Sequence, residues 1–107
     1  MKSENIQKII RDIKENCDLS KRSVEDVVLI GASKSQTIEK IIVAYEEGIK
    51  NFGENYLQEA EEKIPKLDQD IIWHFIGSIQ SRKAKKIETL DGRNIYLSFN
   101  VYKYPEY

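Results

Sequence analysis

Apolar residues alternate along the chain between groups at helical spacing and short continuous runs, and this alternation sets the expected fold. Ile6, Ile9, Ile10, Ile13 and Cys17 share one face of a helix beginning near Ser3, with charged residues between them. Residues 18–25 are polar and read as a connection. Val27, Val28, Leu29 and Ile30 then form a continuous run bounded by polar residues, which predicts a strand buried on both faces. Ser35 and Thr37 offer hydroxyl caps before Ile38, Ile41, Ile42 and Tyr45 recur at helical spacing, and Gly48 is placed to end that helix. Lys34 is thus delivered to the loop at the carboxyl end of a strand, where open α/β sheets and barrels place their binding groups.

The same cycle repeats. Ile49, Asn51, Phe52 and Gly53 read as a very short second strand, and Asn55 with Gln58 three residues later has the form of a capping box. Leu57, Ala60, Glu61 and Ile64 continue that helix until Pro65 or the residues just before it stop it. Residues 71–76 are a third apolar run, closed by Gly77, after which Ser78 is a cap and Ile79, Lys83, Ala84 and Ile87 form a sparse helical face. Asp91 and Gly92 signal a turn, and Ile95, Leu97 and Phe99 alternate with Tyr96 and Ser98 as a fourth strand. Residues 101–107 carry three tyrosines without periodicity and are expected to be a tail or an aromatic strip held against another surface.

The order helix, then strand and helix three times, then strand, predicts an α/β protein with about four parallel strands. A complete eight-unit barrel takes roughly 250 residues, so the 107 residues here suit a half-barrel or a small open sheet. Residues 1–107 are read as a single truncated domain. Its open sheet edges need cover, which makes a homo-oligomer, or capping by the tail, an expectation.

Composition narrows the partners. A net charge of −1 gives no bulk attraction to nucleic acid, and the basic run from Arg82 to Lys86 is read as a solvated helix face. One cysteine excludes an internal disulfide framework and a cysteine metal cluster, and a lone histidine, His74, completes no metal site. No apolar stretch is long enough for a signal peptide core or a bilayer span, so a cytoplasmic protein is expected.

Three segments together, LIGASK at residues 29–34, NFGENYLQEAEEK at 51–63 and IIWHFIGSIQSRKAKKI at 71–87, resemble the amino-terminal half of the pyridoxal-phosphate homeostasis protein family. The resemblance implies a TIM-like (β/α)8 barrel related to the first domain of alanine racemases, present here as a partial barrel. It implies that Lys34 is the lysine forming a Schiff base, the internal aldimine, with pyridoxal 5'-phosphate. It places Asn55, His74 and Gly77 beside that cofactor. From the residues alone, Asn55 is equally an N-cap, His74 a hydrogen-bonded strand histidine, and Gly77 a close turn. Two departures from the family pattern stand out: Arg82 occupies a position usually written as asparagine, and the continuation after Ile87 is not clearly followed. The family's carboxyl-terminal half, which grips the phosphate and faces the pyridine nitrogen, has no counterpart in these residues.

The function implied is non-enzymatic binding of pyridoxal 5'-phosphate in cofactor homeostasis. A vestigial or interaction half-barrel without cofactor, and a pyridoxal-dependent amino-acid racemase, are the alternatives. The racemase needs an acid–base residue at the substrate α-carbon that a second domain usually supplies.

Overall fold

The structure is a computed structural model and describes residues 3–77, 90–93 and 95–97. In chain order it comprises helix α1 (Ser3–Leu19), strand β1 (Ile30–Ala32), helix α2 (Ile38–Glu46), strand β2 (Asn51–Glu54), helix α3 (Leu57–Lys63), strand β3 (Ile72–Phe75) and strand β4 (Ile95–Leu97). Short 3-10 turns occupy Val24–Asp26, Ile64–Lys66 and Leu90–Gly92. The expected helix after Ser78, the end of the fourth strand at Phe99 and the tail at 101–107 lie outside the described residues.

The four strands form one sheet in the order β1-β2-β3-β4, every neighbouring pair parallel. Sequential order without a reversal distinguishes this sheet from a doubly wound one, whose strand order turns back at a switch point. It is the winding of a barrel segment. Among the described residues the protein is therefore α/β with four parallel strands, the architecture of a partial barrel.

Register shows which face the sheet buries. Gly31, Phe52, Trp73 and Ile95 lie side by side across the four strands. Phe52, Trp73 and Ile95 point into the core with Phe75, against Ile6 of α1, Ile41 and Ala44 of α2, and Ala60 of α3. Phe52 and Trp73 pack with ring centroids 6.2 Å apart at 45°, within the range of favourable aromatic contacts. Alternation then assigns Ile30, Asn51, Ile72, His74 and Tyr96 to the opposite face. Ile72 is 43% exposed and Tyr96 59%.

The helix caps follow the sequence in one place and depart from it in another. Thr37 accepts a hydrogen bond from the backbone N–H of Lys40 at the start of α2, and Gly48 follows the last turn at φ 116°, a conformation an L side chain rarely adopts. Gln7 of α1 donates to the backbone carbonyl of Glu47, pinning α1 to that same end of α2. Cys17 is buried at the end of α1, as a small hydrophobe.

At the start of α3 the expected capping box is not formed. Tyr56, not Asn55, is the N-cap, and it makes no side-chain cap hydrogen bond.

The first strand is also displaced from the run that predicted it. Ser23 caps the turn at Val24–Asp26, Val27 leaves it extended, and pairing with β2 begins only at Ile30 opposite Asn51. Because β1 lies at the edge of the sheet and overhangs the start of β2, Val28 is 59% exposed. The expectation of a run buried on both faces is corrected accordingly.

Candidate functional site

The carboxyl ends of β1, β2 and β3 bring the sequence-predicted residues to one end of the sheet. Lys34 is exposed and sits two residues beyond β1, in the turn before α2. Its neighbour Ser35 has φ 61°, in the left-handed region. For a residue with a Cβ this conformation costs about 1–2 kcal/mol, so the turn needs outside support to hold it.

Asn55 follows β2 directly and is half-buried. Since Tyr56 takes the N-cap position, the Asn55 amide is not committed to closing α3. Gly77 lies just past β3 against the backbone of Asn55, and a Cβ built on it would collide with the Asn55 carbonyl oxygen. Its glycine is required by the close approach of these two loops.

His74 lies within β3 on the open face, beside Asn51 and Tyr96. Its Nε2 is 2.9 Å from the Asn51 side-chain oxygen, and its ring centroid is 5.7 Å from that of Tyr96. With Nε2 protonated, the ring donates to that amide oxygen. Burial holds the imidazole below its ordinary pKa, which favours the neutral ring at pH 7. Nearby, a Cβ at Gly53 would lie 2.7 Å from Ile76 Cδ1 and 3.1 Å from Ile30 Cγ2, so those two isoleucines already fill the open face above Gly53. The structure thus brings Lys34, Asn55 and Gly77 to one end of the sheet and leaves His74 one pleat lower.

On the buried side of the same end lies a charged cluster that hydrophobic patterning does not reveal. Glu54, the last residue of β2, is 1% exposed and accepts from the Ser33 hydroxyl and from Lys63 Nζ, the latter at 3.3 Å. Lys63, at the end of α3, also donates to the Ser33 carbonyl at 2.6 Å and to the Glu59 carboxylate one helical turn earlier. Glu59 in turn accepts the backbone N–H of Ser35 at 2.6 Å.

The two carboxylates respond in opposite directions. Burial raises the Glu54 pKa; the hydrogen bond from Ser33 and the charge of Lys63 only partly offset it, and repulsion from Glu59 adds to the rise. Burial also pushes Glu59 upward, but the hydrogen bonds from Lys63 and Ser35 N–H, with the charges of Lys63 and Lys34, outweigh it and leave Glu59 below its ordinary value. A readable signal for half of this cluster was the Glu59 and Lys63 pair, whose i, i+4 order is the favourable one on a helix.

These features define a class: an α/β barrel segment with an exposed lysine at the carboxyl end of its first strand. By sequence, the chain is related to pyridoxal phosphate homeostasis proteins. The homologue of Buchnera aphidicola subsp. Schizaphis graminum is 40% identical over 108 residues, covering 92% of this chain and 47% of its own length. That of Schizosaccharomyces pombe is 44% identical over 71 residues, covering 66% of this chain and 29% of its own length. Among solved structures, PipY of Synechococcus elongatus, determined without PLP, superposes with a TM-score of 0.57 at 35% identity, over 73% of this chain and 37% of that one. The chain thus spans less than half the length of these relatives. A scan against protein-family models finds no match.

Proposed function

We propose that this chain is a non-catalytic pyridoxal 5'-phosphate-binding protein of the cytoplasm, acting in cofactor homeostasis through covalent attachment at Lys34. The observation that carries the reading is the position of Lys34: an exposed primary amine at the carboxyl end of the first of four parallel strands, in a chain whose relatives are named for this cofactor. The donor set fits the aldehyde end of the group. Lys34 would hold the group by condensation of its amine with the aldehyde, one water leaving, so neither oxidant nor reductant would be consumed. Asn55 offers an amide at the adjoining loop. Gly77 keeps that loop close, and neutral His74 gives a hydrogen-bonding edge on the open face. When bound, the group supplies an electron-poor carbonyl and a conjugated ring. Among the described residues no helix is long and apolar enough to cross a membrane.

Mixing the chain with pyridoxal 5'-phosphate is expected to yield an absorbance band that borohydride fixes as a one-to-one adduct on Lys34. Lys34→Ala removes the adduct. Because any lysine amine reacts weakly with aldehydes, the urea-denatured chain is the reference. Equal affinity in folded and denatured chain, or adducts spread over many lysines, counts against the proposal.

A second reading is favoured by the exposed Ile72 and Tyr96 on the open sheet face: the chain self-associates across that face and its open edges. Sedimentation equilibrium is expected to return twice the mass of one chain, and Tyr96→Lys to lower it toward the monomer. A monomeric wild type at high micromolar concentration removes this reading.

A further inference from the structure

We infer that Glu59 and Lys63 form a clamp, seated on buried Glu54, that holds the turn carrying Lys34 from both sides and so sets the direction of its amine. The inference rests on the reading of Lys34 as the attachment residue and concerns residues that make no contact with the cofactor in that reading.

The geometry is specific to the two residues flanking Lys34. On one side, Ser33 is fixed three times: its carbonyl accepts from Lys63 Nζ at 2.6 Å, its backbone N–H donates to the Gly53 carbonyl at 2.9 Å, and its hydroxyl donates to Glu54. On the other side, the Ser35 N–H donates to Glu59 at 2.6 Å. Lys34 itself is left exposed between two anchored neighbours.

An independent observation shows that the turn is under load. Ser35 holds a left-handed φ of 61° without being glycine, and such conformations persist only where surrounding structure over-determines them. The Glu59 hydrogen bond falls on that very residue, and the backbone of Gln36 donates back to the Ser33 carbonyl at 3.0 Å. A hydrogen bond to an ionised carboxylate is about twice as strong as a neutral one, so Glu59 suits the task better than an amide would. Both clamp residues and the Glu54 beneath them come from the segment 51–63, which links β2 and α3 to the first strand's loop.

The clamp makes Glu59 and Lys63 positioning residues, and a positioning role is separable from a general structural one. In the full chain, hydrogen exchange of the Ser35 amide and the dissociation constant of the unreduced Lys34 adduct, from absorbance titration with pyridoxal 5'-phosphate, are measured for wild type, Glu59→Ala, Glu59→Gln and, as a control on the exposed side of α3, Glu62→Ala. Glu59→Ala is expected to speed Ser35 exchange and weaken cofactor attachment by about tenfold each, the equivalent of roughly 1.4 kcal/mol. Glu59→Gln keeps an oxygen acceptor for Ser35 but not its charge, and is expected to fall between wild type and Glu59→Ala. Glu62→Ala matches wild type. Unchanged Ser35 exchange in Glu59→Ala overturns the clamp, and faster exchange with unchanged attachment overturns its service to Lys34. If wild type forms no specific adduct on Lys34, the functional reading fails and takes the positioning role with it. That failure is visible in wild type alone, whereas failure of the clamp appears only as equality between wild type and variant.

Discussion

Trp73→Ala is expected to destabilise the fold by about 3–5 kcal/mol, the usual cost of truncating a large buried aromatic to alanine. Trp73 is 1% exposed in β3, which pairs with β2 on one side and β4 on the other. It lies between Phe52 and Ile95 in the row that faces the helices. Its removal takes contacts from both neighbouring strands at once, and the backbone ladder prevents them from closing over the cavity. Against a total stability of roughly 5–15 kcal/mol for a typical domain, such a loss leaves a substantial unfolded fraction. Trp73→Phe separates volume from hydrogen bonding. The indole N–H is buried without a hydrogen-bond partner among the described residues, so phenylalanine forfeits no hydrogen bond and is expected to cost only about 1–2 kcal/mol. Trp73 is the one tryptophan in the chain, so urea unfolding is followed by circular dichroism rather than fluorescence. A similar cost for both variants would mean that β3 is held by something other than this packing.

Among the described residues the order of elements was legible because the apolar runs are short and bounded in the way of strands, and the groups before β1 and between β1 and β3 keep helical spacing. The face on which the sheet is buried was not legible. A continuous run such as residues 71–76 supplies apolar side chains to both faces, and sequence alone does not state which has a partner. The structure puts Trp73 and Phe75 in the core and leaves Ile72 on the open side. Edge effects were hidden for a related reason: Val28 reads like Ile30, yet β2 starts opposite Ile30 and gives Val28 nothing to pair with. At the candidate site, Lys34 was conspicuous because it ends a strand. The residues that brace its turn were not, because Glu54 and Lys63 are charged and charge ordinarily predicts exposure. Their burial depends on the meeting of two elements nine residues apart in sequence and on Ser33 from a third. Asn55 was ambiguous between cap and ligand, and the helix resolved the first half of that ambiguity by starting one residue later.

That buried charge gives the second large effect, Lys63→Met, with an expected loss of about 3–5 kcal/mol at pH 7, as when one partner of a buried ion pair is removed. Methionine fills much the same space, so the loss is chiefly electrostatic: Glu54 keeps its burial and the repulsion of Glu59, but loses the cation that neutralised both. The pH dependence fixes the assignment. In wild type, the raised pKa of Glu54 contributes stability that is fully present below the unfolded value, about 4.3 for glutamate, and is lost as pH rises through the folded value. The lowered pKa of Glu59 does the reverse: its contribution is present above about pH 4.3 and is lost as pH falls through its folded value. Lys63→Met removes a main cause of the Glu59 shift and enlarges the Glu54 shift. The gap between wild type and variant in urea unfolding should therefore be widest near neutrality and narrow as pH falls toward 4. Glu54→Gln imitates the protonated acid, so Lys63→Met combined with Glu54→Gln should recover about 1–3 kcal/mol of the single-variant loss, the coupling expected of residues in contact. A gap that stays constant from pH 7 to pH 4, with additive single effects, would show that Lys63 stabilises through its methylene stem rather than through its charge.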